Sequence, residues 1–165
     1  MKIILSLNFI LVIVFIFPSC SESPKKKTVE VKFDAPIYDS TGNLFTGTKK
    51  ETINGKTIEY DFVNGKKHGS FKIYYENGNL EMEGQIKENK NDGHWKYYYQ
   101  DGTLESEGNF ANDLIEGKWS WFYPTGKIKE TAEYKNGLRE GNTIVYDEDG
   151  KIISEKMYKM GDEVN

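Results

Sequence analysis

Hydrophobic and polar residues alternate along most of this chain, and the pattern repeats every 24 residues. Glycine marks the same two positions of each repeat, one at its opening and one in its turn. A fixed period of this size predicts one supersecondary unit stacked on copies of itself. The two glycine sets are Gly69, Gly93, Gly117 and Gly141, and Gly78, Gly102, Gly126 and Gly150.

Each repeat has the pattern of a β-hairpin. In the repeat that opens at Gly93, the run 94–99 is rich in aromatic residues, which favour strands. Asp101-Gly102 follows, and this dipeptide is a strong hairpin signal because the turn requires a positive φ. A second run, 104–110, completes the hairpin. No helical period appears after the N-terminal segment, so we predict an all-β fold.

The second strand alternates between an apolar and a charged side, as in an antiparallel sheet with one solvated face. Leu104, Ser106, Gly108 and Phe110 are expected on one side, with polar residues between them. The small residue within this strand recurs in three repeats, and we expect an aromatic ring to cover it. Its three copies are Gly84, Gly108 and Ala132.

The segment Gly108-Asn109-Phe110-Ala111-Asn112-Asp113-Leu114-Ile115-Glu116-Gly117 resembles the MORN repeat in the variant found in bacterial proteins. The resemblance covers about residues 60–161, and a domain of such repeats is expected over 37–165. It implies an elongated antiparallel sheet of stacked hairpins. It also implies protein contacts or membrane association rather than a reaction, and some bacterial relatives are described as antitoxins.

The N-terminus predicts a secreted, lipid-anchored protein. Residues 3–17 are almost continuously apolar, with the length of a signal-peptide core. Phe17-Pro18-Ser19-Cys20 resembles a lipoprotein lipobox, which implies cleavage after residue 19 and lipidation of Cys20. Residues 20–36 are then a polar tether to a bacterial membrane. Ser21 is not acidic, which favours the outer membrane, with the domain on its periplasmic or its outer side.

The composition of the chain argues against several kinds of partner and site. The formal net charge of −4 disfavours nucleic acid, and a single cysteine excludes an internal disulfide. His68 and His94 occupy non-equivalent repeat positions, so we expect neither a metal site nor a cofactor.

Glu83 and Glu107 occupy the same position in successive repeats. We expect them to pair across strands with lysines, in particular Lys127 and Lys129.

The aromatic residues of the first strands are the candidate binding site. Alternation places rings on both sides of the sheet, and the sequence leaves open whether the larger row is exposed or buried. We therefore expect a non-catalytic scaffold that binds a protein. The alternatives are an antitoxin-like regulator of a partner toxin, and a glycan-binding or glycan-hydrolysing envelope protein. The candidate row is Trp95, Tyr97, Tyr99, Trp119, Trp121 and Tyr123.

Overall fold

The computed structural model describes residues 35–164. The predicted signal segment, Cys20 and most of the tether lie outside the described residues. Within the described part of the chain, no helix is long and apolar enough to cross a membrane.

The described chain forms a single open sheet of eleven antiparallel strands, and each strand pairs with its neighbours in sequence. The predicted all-β architecture of stacked hairpins is confirmed. The strands are β1 Gly47–Ile53, β2 Lys56–Val63, β3 Lys66–Tyr74, β4 Leu80–Lys87, β5 Lys90–Tyr98, β6 Leu104–Ala111, β7 Leu114–Phe122, β8 Ile128–Lys135, β9 Leu138–Tyr146, β10 Ile152–Lys159 and β11 Asp162–Val164.

Two kinds of turn alternate along the sheet. Within a repeat, β5 and β6 are joined by a longer turn in which Gly102 has φ 90° and donates its amide to the Tyr99 carbonyl. Between repeats, β6 and β7 are joined by a tight turn at Asn112 and Asp113, with φ 51° and 71°. Positive φ at both central residues matches the right-handed twist of paired strands. The link between repeats is therefore itself a hairpin turn.

Two of the three small residues, Gly84 and Gly108, lie under rings as predicted. A Cβ added at Gly84 would lie 2.7 Å from Cγ of Trp95, and one added at Gly108 would lie 2.5 Å from Cδ2 of Trp119. The third small position is Ala132, and the residue paired with it is Thr143 instead of a tryptophan. A slightly larger residue at the small position therefore goes with a smaller residue on the neighbouring strand. The missing Cβ at Gly84 and Gly108 leaves the space that the indole of the next strand occupies.

The simple alternation predicted for the second strand is only partly correct. The register shifts between Tyr97 and Tyr98, which pair with Ser106 and Leu104. The extra residue is a bulge, so the predicted pattern holds from Ser106 to Phe110 but does not extend through the bulge to Leu104. A second irregularity lies between β6 and β7, where Glu107 pairs with Ser120 but Asn109 pairs with Glu116. Gly117 lies in the extra stretch of β7, and its φ of 75° suits a bulge.

The N-terminal end differs from the regular repeats. Strands β1 and β2 form a hairpin whose tight turn is Asn54-Gly55. Before it, Tyr38 and Leu44 form an isolated bridge. Residues of β2 form a buried cluster with the side chains packed around it: Ile58, Tyr60 and Phe62, with Ile37, Phe45, Ile53, Phe71 and Ile73.

Candidate binding surface

One face of the sheet, which we call the aromatic face, carries Trp95 and Trp119. Both indoles are buried, with 3% and 4% of their surface exposed. Phe110 lies between them, with ring centroids 5.7 Å from Trp95 and 5.3 Å from Trp119. Phe71 extends the contact on the other side of Trp95, at 5.6 Å. These two tryptophans therefore form the packing core of the repeats.

Tyr97 and Trp121 form the next row of the aromatic face and are only half-buried. Each contacts Trp119, with centroids 6.0 Å and 6.2 Å away. Ser106 is paired in register with both residues and is buried beneath this row. Burial raises the pKa of the Tyr97 phenol above its ordinary value. These two rings are the part of the predicted row that reaches the surface on this face.

Tyr99 and Tyr123 are not part of this row. Strand β5 ends at Tyr98, so the alternation of the strand does not extend to Tyr99. Instead, the Tyr99 hydroxyl donates to the carbonyl of Phe122 in the next repeat, at 2.7 Å. Tyr123 donates in the same way to the Tyr146 carbonyl, at 2.7 Å. These hydroxyls link successive repeats along the turn edge, as does Tyr75.

The opposite face, which we call the charged face, has an alternating row of charges across six strands. The expected pairing of Glu83 and Glu107 with Lys127 and Lys129 was wrong, because the register places other lysines beside them. Lys127 instead donates to the carbonyl of Glu148 at 2.7 Å, and the Lys129 ammonium lies 5.8 Å from the Tyr123 ring. The row runs Lys50, Glu59, Lys72, Glu83, Lys96 and Glu107.

His94 also lies on the charged face. Its Nε2 is 3.1 Å from Oε2 of Glu107, and its Nδ1 is 3.1 Å from Oδ1 of Asn109. His68 is near a different carboxylate, with Nδ1 3.7 Å from Oε1 of Glu88. In residues 35–164 no three His, Cys, Asp or Glu side chains are grouped as metal ligands. His94 is therefore held by Glu107 and Asn109, whereas Nδ1 of His68 is buried with no hydrogen-bond partner among the described residues.

The last full repeat lacks both rings of the aromatic face, with Thr143 and Val145 at the equivalent positions. Thr143 occupies the position of Trp95 and Trp119, and its hydroxyl is buried with no hydrogen-bond partner among the described residues. Nearby, Arg139 donates to Oε1 of Glu130 at 2.8 Å. The ring stack of the aromatic face therefore stops before this repeat.

A model of the MORN repeat variant matches four segments of the chain, residues 67–88, 91–112, 115–136 and 139–160. Together they span more than half of the sequence. This protein belongs to the MORN repeat variant family. Each matched segment covers one strand–turn–strand hairpin and ends at the first residue of a tight turn, such as Asn112. MORN repeats often mediate protein or membrane association and are generally non-catalytic. Comparison with curated proteins gave no match.

Sequence reasoning missed the hydroxyl links between MORN repeats. The signal was present, because Tyr75, Tyr99 and Tyr123 recur at one position just after a strand and just before a turn. A tyrosine held at that position has a ring for packing and a hydroxyl for a neighbouring carbonyl. The sequence reading used only the ring.

Proposed function

We propose that this MORN repeat protein is a non-catalytic, lipid-anchored scaffold of a bacterial envelope, and that Tyr97 and Trp121 bind a protein partner. The observation that carries the proposal is the half-burial of these two rings beside the buried Trp95 and Trp119. Tyrosine and tryptophan supply much of the binding energy at protein interfaces. Partly exposed rings in a row are the surface of this sheet best suited to that use.

The layout of the row favours a macromolecule over a small ligand. The aromatic face belongs to one open sheet, so the rings form part of an extended surface. Tyr97 and Trp121 lie on β5 and β7, two strands apart, which corresponds to about 9–10 Å. Glu130, which pairs in register with Trp121, supplies a carboxylate beside the rings. A protein segment that crosses the strands can contact both rings and this carboxylate.

The anchor in this proposal is a lipid on Cys20. Acyl chains contribute about 0.8 kcal/mol per buried CH₂, and stable anchoring takes more than one chain. A lipoprotein cysteine carries several chains, and the polar tether then holds the MORN repeats near the membrane surface. The predicted location is the outer membrane.

Protease treatment of intact cells tests the location. Loss of the domain from intact cells, or loss only after the outer membrane is permeabilised, supports an envelope scaffold and tells its two sides apart. Protection until full lysis contradicts the anchor and favours the antitoxin-like alternative, which acts inside the cell.

A variant pair tests the binding surface separately. Trp121→Ser should weaken capture of the partner, because it removes a ring of the proposed surface. Lys118→Ser changes the charged face of the same strand and should leave capture unchanged. Equal capture by both variants contradicts the proposed surface.

A further inference from the structure

Four Asn-Gly dipeptides in this chain allow a comparison of one chemical site in four settings. In an Asn-Gly pair, the glycine amide nitrogen can attack the asparagine side chain to form a cyclic succinimide, because glycine offers little steric hindrance. The reaction requires a glycine amide that is free to approach Cγ of the asparagine. The pairs are Asn54-Gly55, Asn64-Gly65, Asn77-Gly78 and Asn136-Gly137.

Three of the four glycine amides are held by hydrogen bonds to carbonyl groups. A held amide must break its bond before it can rotate and lose its proton, which slows the attack. The donor and acceptor pairs are Gly65 to Phe45 at 2.7 Å, Gly78 to Tyr75 at 2.9 Å and Gly137 to Ile115 at 2.9 Å.

The asparagines of these three pairs are held as well. The backbone amide of Asn64 donates to the Thr46 hydroxyl at 3.0 Å, and the backbone amide of Asn136 donates to Oε2 of Glu116 at 2.8 Å. The Asn77 side chain accepts from the Asn79 amide at 3.0 Å and donates to the Gln100 carbonyl at 3.1 Å. Each of these turns is therefore tied at both of its residues.

Asn54-Gly55 differs in two ways. Within residues 35–164, no hydrogen bond holds the Gly55 amide. Its hairpin pairs β1, an edge strand of the described sheet, with β2, and five of the seven residues of β1 are exposed. Edge hairpins open more readily than internal ones, because fewer neighbours restrain them. Asn54 also has φ 51°, a left-handed conformation.

A carboxylate lies directly against this turn. A Cβ added at Gly55 would be 2.7 Å from Cγ of Glu76, and the carboxylate of Glu76 is closer still. We propose that Asn54 is a self-modification site, in which Glu76 acts as general base for succinimide formation between Asn54 and Gly55. Glu76, from the turn after β3, places its carboxylate against the turn that holds both the electrophile, Cγ of Asn54, and the nucleophile, the Gly55 nitrogen.

The step balances without an oxidant or reductant. Glu76 takes the proton of the Gly55 amide, whose nitrogen forms a bond to Cγ of Asn54. The bond from Cγ to the side-chain nitrogen then breaks, and that nitrogen takes the proton from Glu76 and leaves as ammonia. Water opens the succinimide to aspartate or isoaspartate. Either product places a new negative charge beside Glu76, and isoaspartate also lengthens the main chain of the β1–β2 turn.

Timed incubation of the intact folded protein, followed by peptide mapping with mass spectrometry, tests the proposal. The extent of deamidation is measured at all four asparagines in one sample, so Asn64, Asn77 and Asn136 serve as internal controls. We expect Asn54 to react at least about fivefold faster than any of them. Glu76→Gln keeps the size of the side chain and removes the base, and it should slow Asn54 alone.

Two results would overturn the proposal. The first is a rate at Asn54 equal to or below that of any other pair, which would show that the free amide gives no advantage. The second is an unchanged Asn54 rate in Glu76→Gln, which would remove the carboxylate from the reaction. Circular dichroism of Glu76→Gln confirms that the variant has kept its sheet, as expected for an exposed residue.

Discussion

Replacing Gly108 by alanine tests whether the glycine row exists to accept the tryptophans. The added Cβ would lie 2.5 Å from Cδ2 of Trp119, well inside van der Waals contact. Gly108 has no positive φ, so the backbone itself accepts alanine. Any loss of stability must then come from the ring above it.

The expected magnitude follows from two opposing effects. Alanine in place of glycine in a strand favours folding by about 0.5–1 kcal/mol. Overpacking a filled site costs about 1–3 kcal/mol, because Trp119 or the backbone must shift. Trp119 is only 4% exposed and contacts other rings, so it has little room to move. We expect Gly108→Ala to lower the free energy of unfolding.

A double variant makes the test specific, because this chain already contains the compensated pair Ala132 and Thr143. Trp119→Thr alone should cost about 3–5 kcal/mol through lost burial. Gly108→Ala combined with Trp119→Thr should cost no more than Trp119→Thr alone, which gives a coupling of about 1–3 kcal/mol.

Urea unfolding followed by circular dichroism measures all three variants. Ala132→Gly is the reverse change at the equivalent position, where Thr143 takes the place of the tryptophan. Because Ala132 is buried, this variant loses a packed methyl group as well as gaining a flexible glycine, and it should cost about 1–2 kcal/mol. Additive effects of the Gly108 and Trp119 changes, or an increased stability in Gly108→Ala, would refute the reasoning.

Three further predictions concern single side chains. Burial lowers the pKa of Lys67 from 10.5 to about 8. The unfolded chain therefore binds this proton more tightly than the folded chain does. As the pH rises between those two values, the free energy of unfolding should increase by up to about 3 kcal/mol relative to Lys67→Met. A difference between the two proteins that does not change with pH contradicts this. Tyr99→Phe removes the hydrogen bond to the Phe122 carbonyl and should cost about 0.5–1.5 kcal/mol in urea unfolding, whereas no change would show that the link is dispensable. Thr143→Val removes a buried hydroxyl that has no hydrogen-bond partner among the described residues. It should stabilise the fold by about 1 kcal/mol and so raise the midpoint of thermal unfolding. A lower midpoint contradicts this.

The repeat architecture could be predicted because each signal is local. Asp101 and Gly102 specify a turn, aromatic residues specify the flanking strands, and the period sets the stacking. Even the contact between Gly108 and Trp119 could be expected from size alone. These features depend on residues within one repeat or in the same position of the next.

The features that sequence reasoning missed depend on register. One bulge before Ser106 breaks the alternation, and the strand ends at Tyr98, so Tyr99 lies outside the aromatic row. The lysines beside Glu83 and Glu107 are likewise set by strand pairing. A shift of one residue moves a side chain to the other face, which composition cannot reveal.

Photo-crosslinking from a single position most directly tests the claim that the aromatic face binds a partner. A photoreactive phenylalanine analogue is placed at Trp121 on that face, or at Lys118 on the charged face of the same strand, and the protein is irradiated in its native cells. We predict a discrete crosslinked protein from position 121 and none from position 118. Equal crosslinking from both positions, or from position 118 alone, would contradict the proposed function.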